Sequence, residues 1–260
     1  MKRLLVFSIS MFISCLFALG ADLVFKGFYQ GENLLVKNPF TSTGVGFCVY
    51  EVNVNGLTTT DEINSSAFEI NLNQLGFGIG QEITVTIRYK PDCKPIVLNP
   101  QVLQAKASFV IKTMRLTANN LEWFSTSEKG KLPYYVEQFI WNKWVRIGEV
   151  MGIGTPSQHS YTTEVRFHSG LNRFRLRQTD AAGNRYSQEL TFFSDVKKVT
   201  FAASKSDDEI NFSSSTMYEI YDEFGSIVFK GYGAIVRVAG LKKGVYYLNY
   251  DNQMGQFTKK

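Results

Sequence analysis

The side chains able to do covalent or acid–base work are few, and their spacing does not suit that work. There are two histidines, His159 and His168. Neither has a second histidine or a cysteine at ligand spacing, and no H-x-x-x-H or C-x-x-C occurs, so a zinc donor set is missing. No G-x-S-x-G elbow offers a hydrolase serine. Gly76-Phe77-Gly78-Ile79-Gly80 has the glycine density of a phosphate loop. No Lys-Ser/Thr follows it, and the next segment alternates like a strand, so the run reads as a hairpin turn. Asp207-Asp208-Glu209 gathers oxygens of the kind calcium takes. Without a further acidic ligand at a matching offset it reads as a solvated loop. Glu122, Glu128, Glu137 and Glu149 fall on separate predicted strands. A glycosidase needs two carboxyls roughly 5–9 Å apart across a groove, a geometry that spacing alone does not supply. No catalytic residue, metal, cofactor or small-molecule substrate is therefore expected, and the chain reads as non-enzymatic.

The cysteines carry more information. Residues 1–20 have the layout of a secretory signal: Lys2 and Arg3, an apolar run, then Ala18-Leu19-Gly20 with small residues at the cleavage positions. A permanent anchor is the rival reading, weakened by a short apolar run containing Ser8, Ser10 and Ser14. A lipid-modified Cys15 is another. Cleavage after Gly20 leaves Cys48 and Cys93, and in an oxidising compartment an isolated pair is most simply a disulfide. Two free buried thiols are the alternative. The 28 basic residues less Lys2 and Arg3 leave 26 against 23 acidic ones, a net +3. That charge is mild and evenly spread, which argues against nucleic acid as a partner.

Nearly every segment has strand character, with Gly, Asn and Asp as punctuation. "VYEVNVNG" predicts Val49, Glu51 and Asn53 on one face and Tyr50, Val52 and Val54 on the other, with a hairpin turn at Asn55-Gly56. "EITVTIRY" puts Ile83, Val85, Ile87 and Tyr89 on one face. Turns are expected at Lys129-Gly130, Asn142-Lys143, Ser169-Gly170 and Gly183-Asn184. Residues 113–194 hold roughly seven strands in about eighty residues, the arithmetic of a sandwich. The expected fold is all-β: three consecutive small antiparallel β-sandwiches of the immunoglobulin or fibronectin III type. They span residues 21–112, 113–194 and 195–260, after a cleaved signal at 1–20.

Aromatic residues are the remaining chemistry, and it is the chemistry of recognition. Trp141 and Trp144 crowd a predicted hairpin with Tyr134 and Tyr135. In the last block Tyr246 and Tyr247 must face opposite ways, as must Asn249 and Tyr250. One face fills a core, and the other offers rings to a partner. The candidate partner contacts are Trp141, Trp144, Tyr247 and Tyr250, with Lys242, Lys243, Lys259 and Lys260 at the rim.

Two blocks resemble known modules. Trp123, Glu128, Val136-Glu137, Trp144, Gly152-Ile153-Gly154, Tyr161, Arg175-Leu176-Arg177-Gln178-Thr179-Asp180, Gly183 and Tyr186-Ser187 stand in the order seen in one such module. It is the fibronectin type III-like module that precedes the sorting domain in type 9 secretion cargo. Tyr221-Asp222-Glu223-Phe224-Gly225, Leu241-Lys242-Lys243-Gly244-Val245-Tyr246 and the terminal Lys259-Lys260 resemble the sorting domain itself. The Pro-Asn-Pro entry of that domain is missing, and "TFAASKSDDEINF" stands in its place. As a whole, through "CKPIVLNP", "EQFIWNKW" and "KKGVYYLNYDN", the chain resembles the periplasmic plug proteins of the type 9 outer-membrane translocon. The resemblance implies a periplasmic protein on the inner face of the outer membrane. Its partners would be the translocon β-barrel, which it occludes, and associated secretion subunits. The alternative is a cell-surface or secreted cargo protein whose last block is a sorting signal.

Overall fold

The structure, a computed structural model, describes residues 21–203 and 208–260. The expected signal segment with Cys15, and Asp207 of the acidic cluster, lie outside the described residues. The chain is all-β, built of consecutive antiparallel β-sandwiches of the immunoglobulin and fibronectin III type, and divides into two compact units.

The first unit comprises residues up to 77 and 82–103. Its strands are β1 (Ala21–Phe28), β2 (Leu34–Lys37), β3 (Val49–Val54), β4 (Leu57–Thr58), β5 (Ala67–Ile70), β6 (Glu82–Tyr89) and β7 (Ile96–Val97). They form one sheet in the order β1-β6-β3-β4 and another in the order β5-β2-β7. Alternation on β6 sends Ile83, Val85 and Ile87 into the core, where they meet Leu34, Val36, Val52, Val54 and Ile70.

The expected phase of β3 fails at one residue. Val49 pairs with Tyr89 and Glu51 with Arg88, so Tyr50 is an extra, bulged residue. It is exposed, while Val49, Val52 and Val54 are all buried. Asn55-Gly56 makes the predicted hairpin turn, and both residues take the positive φ that such a turn requires. The glycine-rich run does not make a hairpin. Gly76 ends a 3-10 turn at Leu72–Leu75, and the strands on either side of the run, β5 and β6, belong to different sheets. Cys48 and Cys93 are joined by a disulfide, with Cα atoms 5.8 Å apart.

The second unit runs through residues 104–260 and also takes in 78–81. Its first sandwich contains β8 (Val110–Thr117), β9 (Asn120–Thr126), β10 (Pro133–Ile140), β11 (Lys143–Met151), β12 (His159–Glu164), β13 (Gly170–Asp180), β14 (Gly183–Tyr186) and β15 (Leu190–Ser194). A three-stranded sheet β12-β9-β8 faces a sheet β11-β10-β13-β14, to which β15 adds on β13. Trp123, Tyr134, Phe109, Phe174 and Leu176 fill the space between them. Glu128 is also buried inside. It accepts hydrogen bonds from Tyr134 Oη (2.9 Å), Tyr161 Oη (2.9 Å), the Ser125 hydroxyl and Gly154 N–H (2.8 Å). Burial beside this carboxylate pushes both tyrosine hydroxyls above the ordinary phenol range.

The terminal sandwich holds β16 (Phe201–Ala203), β17 (Glu209–Tyr221), β18 (Ile227–Arg237), β19 (Gly244–Tyr250) and β20 (Gln253–Lys259). They make one continuous sheet, β16-β17-β19-β20, with β18 on β17. A register shift between Asn211 and Thr216 lets both halves of β17 feed one core, Ile210 and Phe212 from one end and Ile220 from the other.

The disulfide has a measurable consequence. Its two ends are 45 positions apart, and closing such a loop stabilises by about 4 kcal/mol in the chain-entropy model. Cys48→Ala/Cys93→Ala, or reduction of the native protein, is expected to lower one calorimetric transition by about that amount. A second transition, from the other unit, should stay in place. A trace unchanged by reductant contradicts this.

Candidate partner-binding surface

The junction between the two sandwiches of the second unit is built on a buried carboxylate. Asp251 sits in the tight turn of the β19–β20 hairpin with φ of 48° and is 1% exposed. Its Oδ1 accepts from Ser169 N–H (2.7 Å), and its Oδ2 from Ser169 Oγ (2.5 Å) and Val199 N–H (3.2 Å). Its own N–H donates to Thr216 Oγ1 (2.9 Å). Its carbonyl accepts from Trp141 Nε1 (2.9 Å). Burial opposes the charge, but the bonds from Ser169 and Val199 outweigh it and pull the pKa below the ordinary carboxylate value.

Trp141 reaches this carbonyl from another hairpin tip. Ile140 pairs with Lys143, so the β10–β11 turn is Trp141-Asn142, one residue earlier than expected. Both turn residues have positive φ, 54° and 60°. A tryptophan there costs on the order of 1 kcal/mol in backbone strain. Beside it, Lys143 Nζ meets Glu219 Oε2 (2.6 Å) and Tyr221 Oη (2.9 Å). Burial opposes the Lys143 charge, but Glu219 and Tyr221 raise its pKa above the usual lysine value. Glu219 is lowered against its own burial by Lys143 and Tyr221. Thus two hairpin tips and an ion pair fasten the last sandwich to its neighbour.

Three expected partner contacts are consequently internal. Trp141 is 8% exposed and spent on Asp251. Tyr250 is 7% exposed, packed against Phe201 and Phe212. Lys259 alternates inward with Phe257 and pairs with Asp208 at 2.5 Å. Strand alternation decides all of this on the terminal hairpin: Tyr246, Leu248 and Tyr250 point in, while Val245 and Tyr247 point out.

What remains outside is coherent. On the outer face Tyr247 stands opposite Tyr221, and Tyr221 opposite Ile227, so Val245, Tyr247 and Ile227 line one strip. All three are exposed, as are Met254 and Phe224. Lys242 and Lys243 precede β19, Lys260 follows β20, and all three are exposed. On the β20 side the cross-strand neighbours of Tyr247 and Val245 are the exposed Gln256 and Thr258. An exposed tyrosine with apolar and polar side chains beside it and lysines nearby is the composition of a protein-binding face.

Trp144 belongs to a second surface, the outer face of the β11-β10-β13-β14 sheet. Arg175 lies over Trp144 (4.1 Å) and Tyr186 (4.1 Å), Arg173 over Phe139 (4.5 Å), and Arg177 and Arg146 over Tyr135 (4.6 and 4.2 Å). Glu137 bonds Arg175 and Arg177, each at 2.7 Å. These guanidinium and ring faces satisfy one another, so the ladder stiffens the sheet.

Groups weighed for catalysis are engaged elsewhere. Glu122 pairs with Arg115, Glu137 with two arginines and Glu149 with Arg146, while Glu128 is buried. His159 Nε2 bonds Thr155 (2.7 Å), and His168 Nδ1 faces the Ser169 carbonyl (2.8 Å). No trio of metal-ligating side chains comes together among the described residues. None of the described helical segments is long and apolar enough to cross a membrane.

No family model and no curated protein matches the chain. Among solved structures it is similar to the FN1–FN3 domains of chicken CNTN1, at 10% identity, 88% of this chain, 89% of that chain and a TM-score of 0.24. A putative β-galactosidase from Bacteroides fragilis aligns at 12% identity with a TM-score of 0.21, over 74% of this chain but 34% of its own. The BSP domain of a biofilm associated protein aligns at 10% identity, over 92% and 81% of the two chains, with a TM-score of 0.18.

Asp251→Asn removes the charge and replaces one of the two acceptor oxygens with an NH2 donor, so that the donors of Ser169 and Val199 cannot all be met. It is expected to cost roughly 2–3 kcal/mol at pH 7. The folded-state pKa of Asp251 is depressed. Its contribution is therefore present above the unfolded value, about pH 4, and is lost as pH falls through the folded value. The difference in thermal midpoint between wild type and Asp251→Asn should shrink on acidification below about pH 4. A constant gap refutes the assignment. Trp141→Ala should cost about 3 kcal/mol and open residues 195–200 to limited proteolysis.

Proposed function

We propose that the chain is a non-enzymatic periplasmic component of the type 9 protein secretion system that docks on the outer-membrane translocon barrel and occludes it. The identity of the partner rests on the resemblance of the "CKPIVLNP", "EQFIWNKW" and "KKGVYYLNYDN" stretches to plug proteins. The observation that carries the docking role is the outer face of the terminal sheet. There Val245, Tyr247 and Ile227 are held outward by strand register, with Lys242, Lys243 and Lys260 around them. Occlusion needs a body that does not flex where it is pressed. The Asp251 junction and the Arg–aromatic ladder supply that stiffness within the second unit. The Cys48–Cys93 bond suits an oxidising compartment.

The alternative, a secreted or cell-surface cargo protein, makes the last sandwich a detachable signal. The fastening of that sandwich to its neighbour through Trp141 and Ser169 favours the docking reading, since a segment meant for removal gains nothing from it.

The test is affinity purification of the tagged chain from solubilised envelope, with mass spectrometry of what accompanies it. The chain should be periplasmic, intact to Lys260, and bound to an outer-membrane β-barrel. Tyr247→Ala with Val245→Ser should reduce recovery of that barrel by tenfold or more, in line with the loss of about 2 kcal/mol at a central tyrosine anchor. Recovery of the chain from the medium, trimmed near residue 195, overturns the proposal in favour of cargo.

A further inference from the structure

Single exposed apolar side chains are ordinary, but in the first unit several gather around the disulfide. Lys37 of β2 pairs with Ile96 of β7, and Leu98 N–H donates to the Leu35 carbonyl at 2.8 Å. Leu35, Lys37, Ile96 and Leu98 therefore share the outer face of that sheet, and all four are exposed. Glu69, on the far strand opposite Leu35, is hydrogen-bonded to Asn33.

From Lys37 the chain runs through Asn38 and Pro39 into the loop 40–47. Phe40 and Phe47 stack at 4.3 Å. Thr41 N–H donates to Gly46 O (3.1 Å) and Gly44 N–H to Thr41 O (2.9 Å). Ser42 gives its N–H and Oγ to Asp92, at 3.0 and 2.8 Å. The Val45 carbonyl accepts from Thr41 Oγ1 (3.0 Å) and from Lys90 Nζ (3.3 Å). What this tied loop holds out is apolar: Phe40 is 58% exposed and Val45 75%.

We propose that this loop is a membrane-docking tip for an anionic bilayer. Phe40 and Val45 enter the headgroup boundary, with Ile96 and Leu98 behind them, while Lys37 and Lys94 meet lipid phosphates. Two features favour lipid over a protein groove. Main-chain groups carried into a bilayer have no water to bond, and in this loop the N–H groups of Thr41, Ser42 and Gly44 and the carbonyls of Thr41, Val45 and Gly46 are bonded within the protein. The charge nearest the tip is cationic, Lys37, Lys90 and Lys94 against Asp92, which complements anionic headgroups.

The experiment is co-sedimentation of the full chain, lacking residues 1–20, with vesicles of phosphatidylcholine alone or mixed with phosphatidylglycerol. Binding is expected to the mixed vesicles and to weaken with salt. Phe40→Ser/Val45→Ser should lower the partition coefficient about tenfold or more. Each of Lys37→Gln and Lys94→Gln should lower it up to roughly fivefold, on anionic vesicles only. Phe40→Trp should add a fluorescence component that shifts to the blue on binding and is quenched by brominated lipid. Circular dichroism and the intact disulfide check that each variant is folded. No sedimentation by the wild type, or equal sedimentation by a folded double variant, overturns the proposal. So does light scattering in which the double variant abolishes a dimer of the free protein, since that assigns the tip to a second copy.

Discussion

The second unit depends on a carboxylate that cannot leave its site. Asp251 is removed from water and keeps its charge because the donors aimed at it come from Ser169 in the preceding sandwich and Val199 at the start of the terminal one. Separating the two sandwiches would take both Ser169 bonds from the carboxylate and the Trp141 bond from its carbonyl, bonds to a charged group being worth more than an exposed ion pair. The Lys143–Glu219 pair nearby is partly exposed and worth less in energy, but it fixes the rotation of one hairpin against the other sheet. A joint of this kind transmits load between sandwiches, whereas a flexible linker would absorb it.

Alternation then decides what the joint presents. A strand has two faces, and the β19–β20 hairpin commits Tyr246, Leu248, Tyr250 and Phe257 to the core. The opposite phase must face outward, and there it mixes the exposed Val245, Tyr247 and Met254 with the polar Asn249, Gln256 and Thr258. The same rule turns Lys259 inward, where Asp208 meets it. The recognition strip on the terminal sheet is in this sense the back of the core, fixed by packing on the other side.

Much of this was legible in the residues and some was not. The β6 alternation, the Asn55-Gly56 turn and the cysteine pair each carry a local signature, and each appears in the fold as read. The Tyr50 bulge carries none, because an extra residue in a ladder is set by the partner strand and not by its own type. The glycine run between β5 and β6 has the composition of a hairpin, and only the assignment of those strands to different sheets reveals a crossover. The Asp251 joint was invisible for a different reason. Its partners stand from 35 to 110 residues away, and an aspartate beside an asparagine in a strand-rich segment reads as a turn and nothing more. Trp141 and Trp144 look alike in sequence, yet one is consumed by the joint and the other by an arginine stack.

The left-handed backbone at Trp141 sets two demands on one position that cannot both be met. Glycine would relax the turn and make the hairpin itself more comfortable, but it would empty the joint below. Any drift that favours the isolated module therefore degrades the coupled pair. The tryptophan persists only while selection acts on the two modules as one object, which makes this residue a marker in related chains for whether the last module still works in harness with its neighbour or has become independent of it.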